Sequence, residues 1–301
     1  MKNKFAYVLP VFLQLLLIPG IMNQAKAAQV LQFSDMKLLS TATTNQVVFD
    51  ESVNLAPNFG VSQNDPDLKP YFSPKTGFSE LCVPTTFSHF LTYQMGITHQ
   101  LPISTSVPGV SSDLQSIDMN ALIVDLAHRL KTDYTTGTTG DNFVSGINDV
   151  MMNYFGKSVS IDKILNSTSP RPYPQNVRWQ NRDPELVDIR NALSAGDPLI
   201  GDVDWYHIDT TTKNWVYDGG HVFMIYGYSR ESYFQENMLE LALMNPKWIW
   251  TNSTTSADFD NTLAMRSTQD QTSSIFFEGR GFQGQTQRGF LKSLTTVHIS
   301  N

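Results

Sequence analysis

The chain has 301 residues, a formal net charge of −7 and a hydrophobic content of 41%. This acidity argues against nucleic acid or an anionic membrane surface as a partner. The sequence contains one cysteine, Cys82, which excludes an internal disulfide, so the stability of the fold must come from a packed core.

Residues 1–27 have the pattern of a secretory signal peptide. Lys2 and Lys4 precede an apolar run over residues 5–22, and Ala25-Lys26-Ala27 has the small residues of a cleavage site. An uncleaved anchor is the alternative, although the run is short and interrupted for a spanning helix. Cleavage leaves 301 minus 27, or 274, residues and changes the formal charge from −7 to −10. We expect a secreted or periplasmic monomer with no membrane segment after signal removal.

The segment 28–70 is rich in Ser, Thr, Asn and Pro and is either a lead-in or a removable pro-segment. One strand is predicted within it, at residues 46–49. The remainder, 71–301, is long enough for one large domain with its own core.

Four helices are predicted in the first half of this domain. The first runs from Cys82 to Gly96, because Phe87, Phe90, Leu91 and Met95 recur at helical spacing. Apolar stripes predict two more over 119–130 and 143–154, and a shorter helix follows over 184–195. The expected caps and stops are Ser116, Asp141, Gly156, Asp183 and Gly196.

The pattern then changes to strands. Three adjacent antiparallel strands are predicted at 198–205, 221–228 and 238–244, and edge strands at 273–277 and 294–299. Helices followed by strands predict an α+β domain, in which an N-terminal helical part packs on a C-terminal antiparallel sheet.

Cys82 is predicted to lie at the N-terminus of the first helix. The unpaired amides and the positive end of the helix dipole favour thiolate over thiol there, which makes a cysteine nucleophilic. A buried structural thiol is the alternative.

A cysteine nucleophile needs a base and a group that orients the base. His221 follows Gly219-Gly220 and begins an apolar strand, so it can face a helix N-terminus across a cleft. Asn245 ends the next strand, where its side-chain oxygen can accept from an imidazole, and Trp248 can shield that bond.

These segments together resemble the papain-like cysteine peptidases, especially the bacteriocin-processing (double-glycine) peptidase-like branch and, around Asn245-Pro246, the staphopains. The matching stretches are Cys82-Val83-Pro84-Thr85-Thr86, the loop and helix over 137–156, the helix and strand over 185–205, and Gly219-Gly220-His221. The resemblance implies a papain-like fold with Cys82 as nucleophile, His221 as base and Asn245 as orienting residue, without a cofactor. The spacing of Cys82 and His221 lies inside the interval of about 130–150 residues found in papain-type enzymes.

The sequence departs from that family before the cysteine. The family's oxyanion-hole glutamine falls at Thr76, and Val83 replaces the usual glycine. The oxyanion candidates are therefore the Cys82 backbone, Thr76, Ser79, or a glutamine or asparagine within 58–64.

A metal site is not expected. Asp202, Asp204, His207 and Asp209 fit no closed ligand set, and His89, His99, His128 and His298 are interpreted as ordinary surface or core histidines.

The sequence thus predicts an exported cysteine peptidase or amidase that acts on a peptide or protein. Its acidity favours neutral or basic substrates through steering. The alternatives are an acyltransferase, transglutaminase-like, with the same three residues, and a catalytically inactive binding protein of the papain fold.

Overall fold

The structure is a computed structural model that describes residues 30–36, 38–40, 55–57, 62–77, 79–168, 173–229, 238–244, 262–267, 275–280 and 286–300. The predicted signal peptide, the strand predicted at 46–49, Asn245 and Trp248 lie outside the described residues.

Four α-helices are described, as the sequence predicts. Their bounds are Cys82–Gly96 for α1, Met119–Arg129 for α2, Gly140–Phe155 for α3 and Leu186–Ser194 for α4. Short 3-10 helices occur at Phe33–Asp35 and Pro66–Tyr71.

Three predicted caps are wrong by a few residues. The cap of α2 is Asp118, which accepts from the Asn120 and Ala121 amides, because Ser116 is already paired in a strand. Thr139 caps α3, so that Asp141 lies in the first turn, where a carboxylate is favourable. Helix α4 begins with a capping box between Glu185 and Asp188, two residues after Asp183.

Twelve strands are described. They are β1 Val30–Gln32, β2 Leu38–Ser40, β3 Leu55–Pro57, β4 Ser116–Asp118, β5 Val159–Leu165, β6 Val177–Gln180, β7 Leu199–Ile208, β8 Trp215–Ser229, β9 Met238–Met244, β10 Thr262–Ser267, β11 Ile275–Arg280 and β12 Thr286–Ile299. The three predicted central strands are confirmed as β7, β8 and β9, whereas the sequence did not predict β5 and β6. The predicted start of β8 at His221 is wrong, because the strand begins at Trp215 and Gly219-Gly220 pairs with β7 inside it.

Eight of these strands form one sheet, in the order β11-β10-β9-β8-β7-β12-β5-β6. All neighbours are antiparallel except β5 and β6. Strand β11 also pairs with β12, so that the six strands β7, β8, β9, β10, β11 and β12 form a closed ring. The edge position predicted for 294–299 is wrong, since this part of β12 lies between β5 and β7. The architecture is α+β.

The sheet has two differently covered faces. Val222, Met224 and Tyr226 of β8 lie in the large core cluster that includes helices α1 to α3, and we call their side the α1 face. Phe223 and Ile225 lie in a smaller cluster with Ile189 and Leu193 of α4, which defines the α4 face. The alternation follows from the two-residue period of a strand.

Parts of the segment 28–70 belong to the large cluster. Strand β1 pairs with β4, and Phe33 and Met36 are buried beside α1. Leu68 of the second 3-10 helix is fully buried in the same core. Removal of these residues would therefore uncover apolar surface.

Helix α1 is buried on every side rather than along one stripe. All residues from Val83 to Gly96 are buried, including six with polar side chains. Several of its hydroxyls bond within the helix: Ser88 donates to the Thr85 carbonyl at 2.7 Å, and Thr92 to the Ser88 carbonyl at 2.8 Å. This internal pairing lowers the cost of burying polar groups. Among the described residues, no helix is long and apolar enough to cross a membrane.

Candidate active site

Cys82 is the first residue of α1, as the sequence predicts. The chain leading to it is held by buried polar contacts: the Leu81 amide donates to Ser79 Oγ at 3.3 Å, and Gln63 Nε2 donates to the Ser79 carbonyl at 3.1 Å. Because both contacts are buried, they fix the backbone that presents the thiol.

The start of α1 docks on the backbone of β8 at Val222. Thr86 Oγ1 donates to the Val222 carbonyl at 3.0 Å, and the Val222 backbone also hydrogen-bonds to Cys82. The next strand, β9, pairs with Met224 through its last residue, Met244. Met224 is the first residue of β8 that pairs with β9, so the hydrogen bonds of α1 to Val222 lie two residues before this point in β8.

Burial dominates the electrostatics of the thiol. Burial raises the pKa of Cys82 to about 11. Hydrogen bonds from the Val222 and Val83 backbones lower the pKa, whereas the negative charges of Asp202 and Glu80 raise it further. The residue is partly buried, and desolvation is the largest cause of the shift in its pKa. The sequence-based prediction of a lowered thiol pKa is therefore wrong, because desolvation of the thiolate outweighs the two backbone hydrogen bonds that lower the pKa.

His221 is buried and immediately precedes Val222. It pairs with Val203, and its ring lies 6.4 Å from that of Phe223, so its side chain belongs to the α4 face. The structure thus brings the thiol to the backbone next to His221, while the imidazole begins on the other side of β8. The pairing of thiol and imidazole remains a prediction.

Polar groups on the α1 face lie near the thiol. Burial raises the pKa of the Asp202 carboxyl, and the positive charge of Lys163 opposes this shift. Lys163 is 4% exposed, and its Nζ donates to Ser293 Oγ at 2.8 Å and to Thr295 Oγ1 at 2.9 Å. A buried ammonium with such partners is a fixed charge of the site.

The oxyanion candidates occupy different environments. Thr76 is exposed, whereas Ser79 is buried and its hydroxyl already accepts from Leu81. Gln63, within the predicted region 58–64, is buried, and its side-chain amide donates to the backbone of Ser79, which precedes Cys82. Among the described residues its Oε1 atom has no hydrogen-bond partner.

The remaining site residues are placed as follows. Asn245 lies outside the described residues, one position after β9 ends. Within the described part of the chain, no three His, Cys, Asp or Glu side chains are grouped as metal ligands. His207 Nδ1 instead contacts Asp218 Oδ1 at 2.5 Å, and His298 lies between Asp197 and Asp162.

Sequence reasoning missed the buried Lys163, whose charge acts on Asp202. Its signal was an inward position in the alternating strand β5, where Val159 and Ile161 face the same core. A lysine at such a position must find buried partners, and the sequence alone does not show that β12 supplies them.

Comparison with known proteins supplies no relative: no family model matches the chain, and no curated protein matches it.

Proposed function

We propose that the chain is an exported cysteine peptidase or amidase of papain-like fold that hydrolyses peptide bonds through Cys82, His221 and Asn245. The observation that supports this best is the docking of the α1 N-terminus on Val222, the residue next to His221. It brings the lone thiol to the backbone beside the histidine, as such a site requires.

In the proposed reaction His221 accepts the thiol proton as the sulfur attacks the substrate carbonyl. Because burial raises the pKa of Cys82 to about 11, proton transfer accompanies attack rather than precedes it. The protonated imidazole then gives its proton to the leaving amine. Water, deprotonated by His221, releases the acyl group and restores the thiol.

The negative oxygen formed during attack needs hydrogen-bond donors. The Cys82 backbone amide is one candidate. Gln63 is the side-chain candidate, because its amide is buried against Ser79, three residues before the thiol. Thr76 is a weaker candidate on account of its exposure. Such donors typically contribute a factor of about 100 or more in rate.

The rival function is a catalytically inactive binding protein of the same fold. The raised pKa of Cys82 favours it, since a neutral, enclosed thiol is a poor nucleophile at pH 7.

Peptide cleavage distinguishes the two functions. The mature chain is incubated under reducing conditions with a mixed peptide library, and products are read by mass spectrometry. We expect cleavage by the wild type and none by Cys82→Ala. Absence of cleavage by the folded wild type, or equal cleavage by both proteins, would refute the proposed function.

A further inference from the structure

A cavity of about 390 Å³ lies beside the hairpin of β7 and β8. Three aromatic side chains line it, those of Tyr206, Trp215 and Phe290, and its charged groups come from Asp183, Asp204 and Lys292. Tyr206 packs edge-on against Phe290 at 5.7 Å and against Tyr217 at 5.4 Å, so this wall is supported on both sides.

The cavity and the residue that contacts the thiol lie on the same face of the β7 and β8 hairpin. Asp202 pairs with Val222, which contacts Cys82, and Asp204 pairs with Gly220 further along the same hairpin. Asp202 and Asp204 alternate onto the α1 face, so their Cα atoms lie about 7 Å apart along β7. The cavity is thus within reach of a peptide whose scissile bond lies at the thiol.

Gly220 leaves space beside the Asp204 carboxylate. A Cβ at this position would lie 3.6 Å from Asp204 Oδ1 and 3.6 Å from the Tyr217 hydroxyl. A larger side chain here would crowd these two groups, whereas glycine leaves the space beside them free.

Lys292 shows what kind of group fits against Asp204. Its Nζ lies 3.2 Å from Asp204 Oδ2, while 49% of its side chain is exposed. The Asp204 side chain is 19% exposed, so the carboxylate is partly buried, whereas the half-exposed ammonium can move into solvent and leave Asp204 to another cation.

We propose that this cavity selects the substrate of the thiol site and takes a lysine or arginine side chain of the peptide. The proposal rests on the proposed function. The described lining of the cavity has two carboxylates, Asp183 and Asp204, and one ammonium, that of Lys292, which can be displaced. This excess of negative charge favours a cationic ligand, and the faces of the aromatic rings attract cations as well. The net charge of −7 acts in the same direction.

Direct binding tests the pocket apart from catalysis. Full-length mature Cys82→Ala is titrated calorimetrically with a short amidated peptide that carries lysine, and with the same peptide carrying norleucine. We expect the lysine peptide to bind at least about tenfold tighter, a difference that shrinks in high salt. Equal affinities, or no binding of either peptide, would overturn the proposal.

Four variants locate the effect. Asp204→Asn should abolish the preference for lysine, and Lys292→Met should increase it by removing the competing ammonium. Asp141→Asn, an exposed change in α3 away from the cavity, should leave it unchanged. A preference that survives in Asp204→Asn would overturn the assignment. Asp183→Asn gives a second reading if Asp204→Asn does not fold, and an unchanged preference there would also overturn it.

The two proposals fail separately. Wild-type cleavage without preference for lysine would refute only the pocket. Tight, selective lysine binding without any cleavage would refute the hydrolase and leave the cavity as a binding site.

Discussion

The two faces of the sheet differ in how they are covered. The α1 face meets three helices and part of the N-terminal segment, whereas the α4 face is packed by one helix of nine residues. The proposed nucleophile approaches β8 with α1, and His221 belongs to the α4 face. The comparison indicates that the α1 face carries most of the stability, while the proposed chemistry needs groups from both sides of one strand.

Removal of His221 is the strongest test of that dependence on both sides. His221→Ala should lower kcat/KM for a cleaved peptide by about 10²- to 10⁴-fold, because the base that accepts the thiol proton is lost. His128→Ala, an exposed change on α2, is the control and should retain wild-type activity. Retention of more than a tenth of the activity by His221→Ala would contradict the assignment.

Asn245 should matter less than His221, since it only orients the imidazole. Asn245→Ala should leave measurable activity in the same assay. Equal, complete losses in both variants would show that the assigned roles are wrong.

Core truncation compares the two clusters directly. Phe87 is fully buried, stacked on Phe90 at 5.6 Å and edge-on to Phe143 at 5.6 Å. Phe87→Ala should lower the free energy of unfolding by about 3–5 kcal/mol, and Leu193→Ala in α4 by about 2–3 kcal/mol. Urea denaturation measures both. A larger loss from Leu193→Ala would reverse the ranking of the faces.

Gln63 tests the loop that presents the thiol on the α1 side. Gln63→Met keeps the volume but removes the side-chain amide, of which one N–H donates to Ser79 and the other is the proposed oxyanion donor, so kcat should fall by about 100-fold. The control is Gln100→Met, an exposed change after α1, which should have no effect. A change in kcat of only a few-fold would remove Gln63 from the oxyanion site.

The pH dependence of alkylation at Cys82 measures how far burial raises the pKa of the thiol. Because Cys82 is the only cysteine, the rate of iodoacetamide labelling should rise with pH towards a midpoint at about 11. The chain unfolded in urea should show the ordinary midpoint of about 8.5. A folded midpoint at or below the unfolded one would mean that the helix N-terminus and His221 stabilise the thiolate after all.

The smallest effect concerns the edge of the α4 face. The hydrogen bond to Asp197 raises the pKa of His298, burial opposes this, and Asp162 adds to it. The charged imidazole therefore stabilises the fold below pH of about 6.5, and this contribution is lost as pH rises through the folded pKa. His298→Gln should cost less than about 1 kcal/mol at pH 5.5, because the pair is partly exposed, and less still at pH 8.5. Urea denaturation at both pH values checks this, and a larger loss at pH 8.5 would contradict it.

Local sequence signals predicted individual helices and strands better than they predicted which strands lie next to each other in the sheet. Helix α1, with Cys82 as its first residue, follows from apolar spacing and Pro84 in the first turn. Local signals do not predict β5 or the central position of β12. These two strands pair with each other through residues more than a hundred positions apart. The burial of six polar residues in α1 was also not predicted from an apolar stripe.

The sequence by itself determined the helix start at Cys82, the presence of a strand through residues 221–228 and the α+β class, since these depend on short-range periodicity. Only the tertiary structure decided the state of the thiol and the face of His221. Desolvation depends on everything packed around Cys82, and the face depends on which side of β8 each neighbour covers. Neither property is encoded within a single segment of the chain.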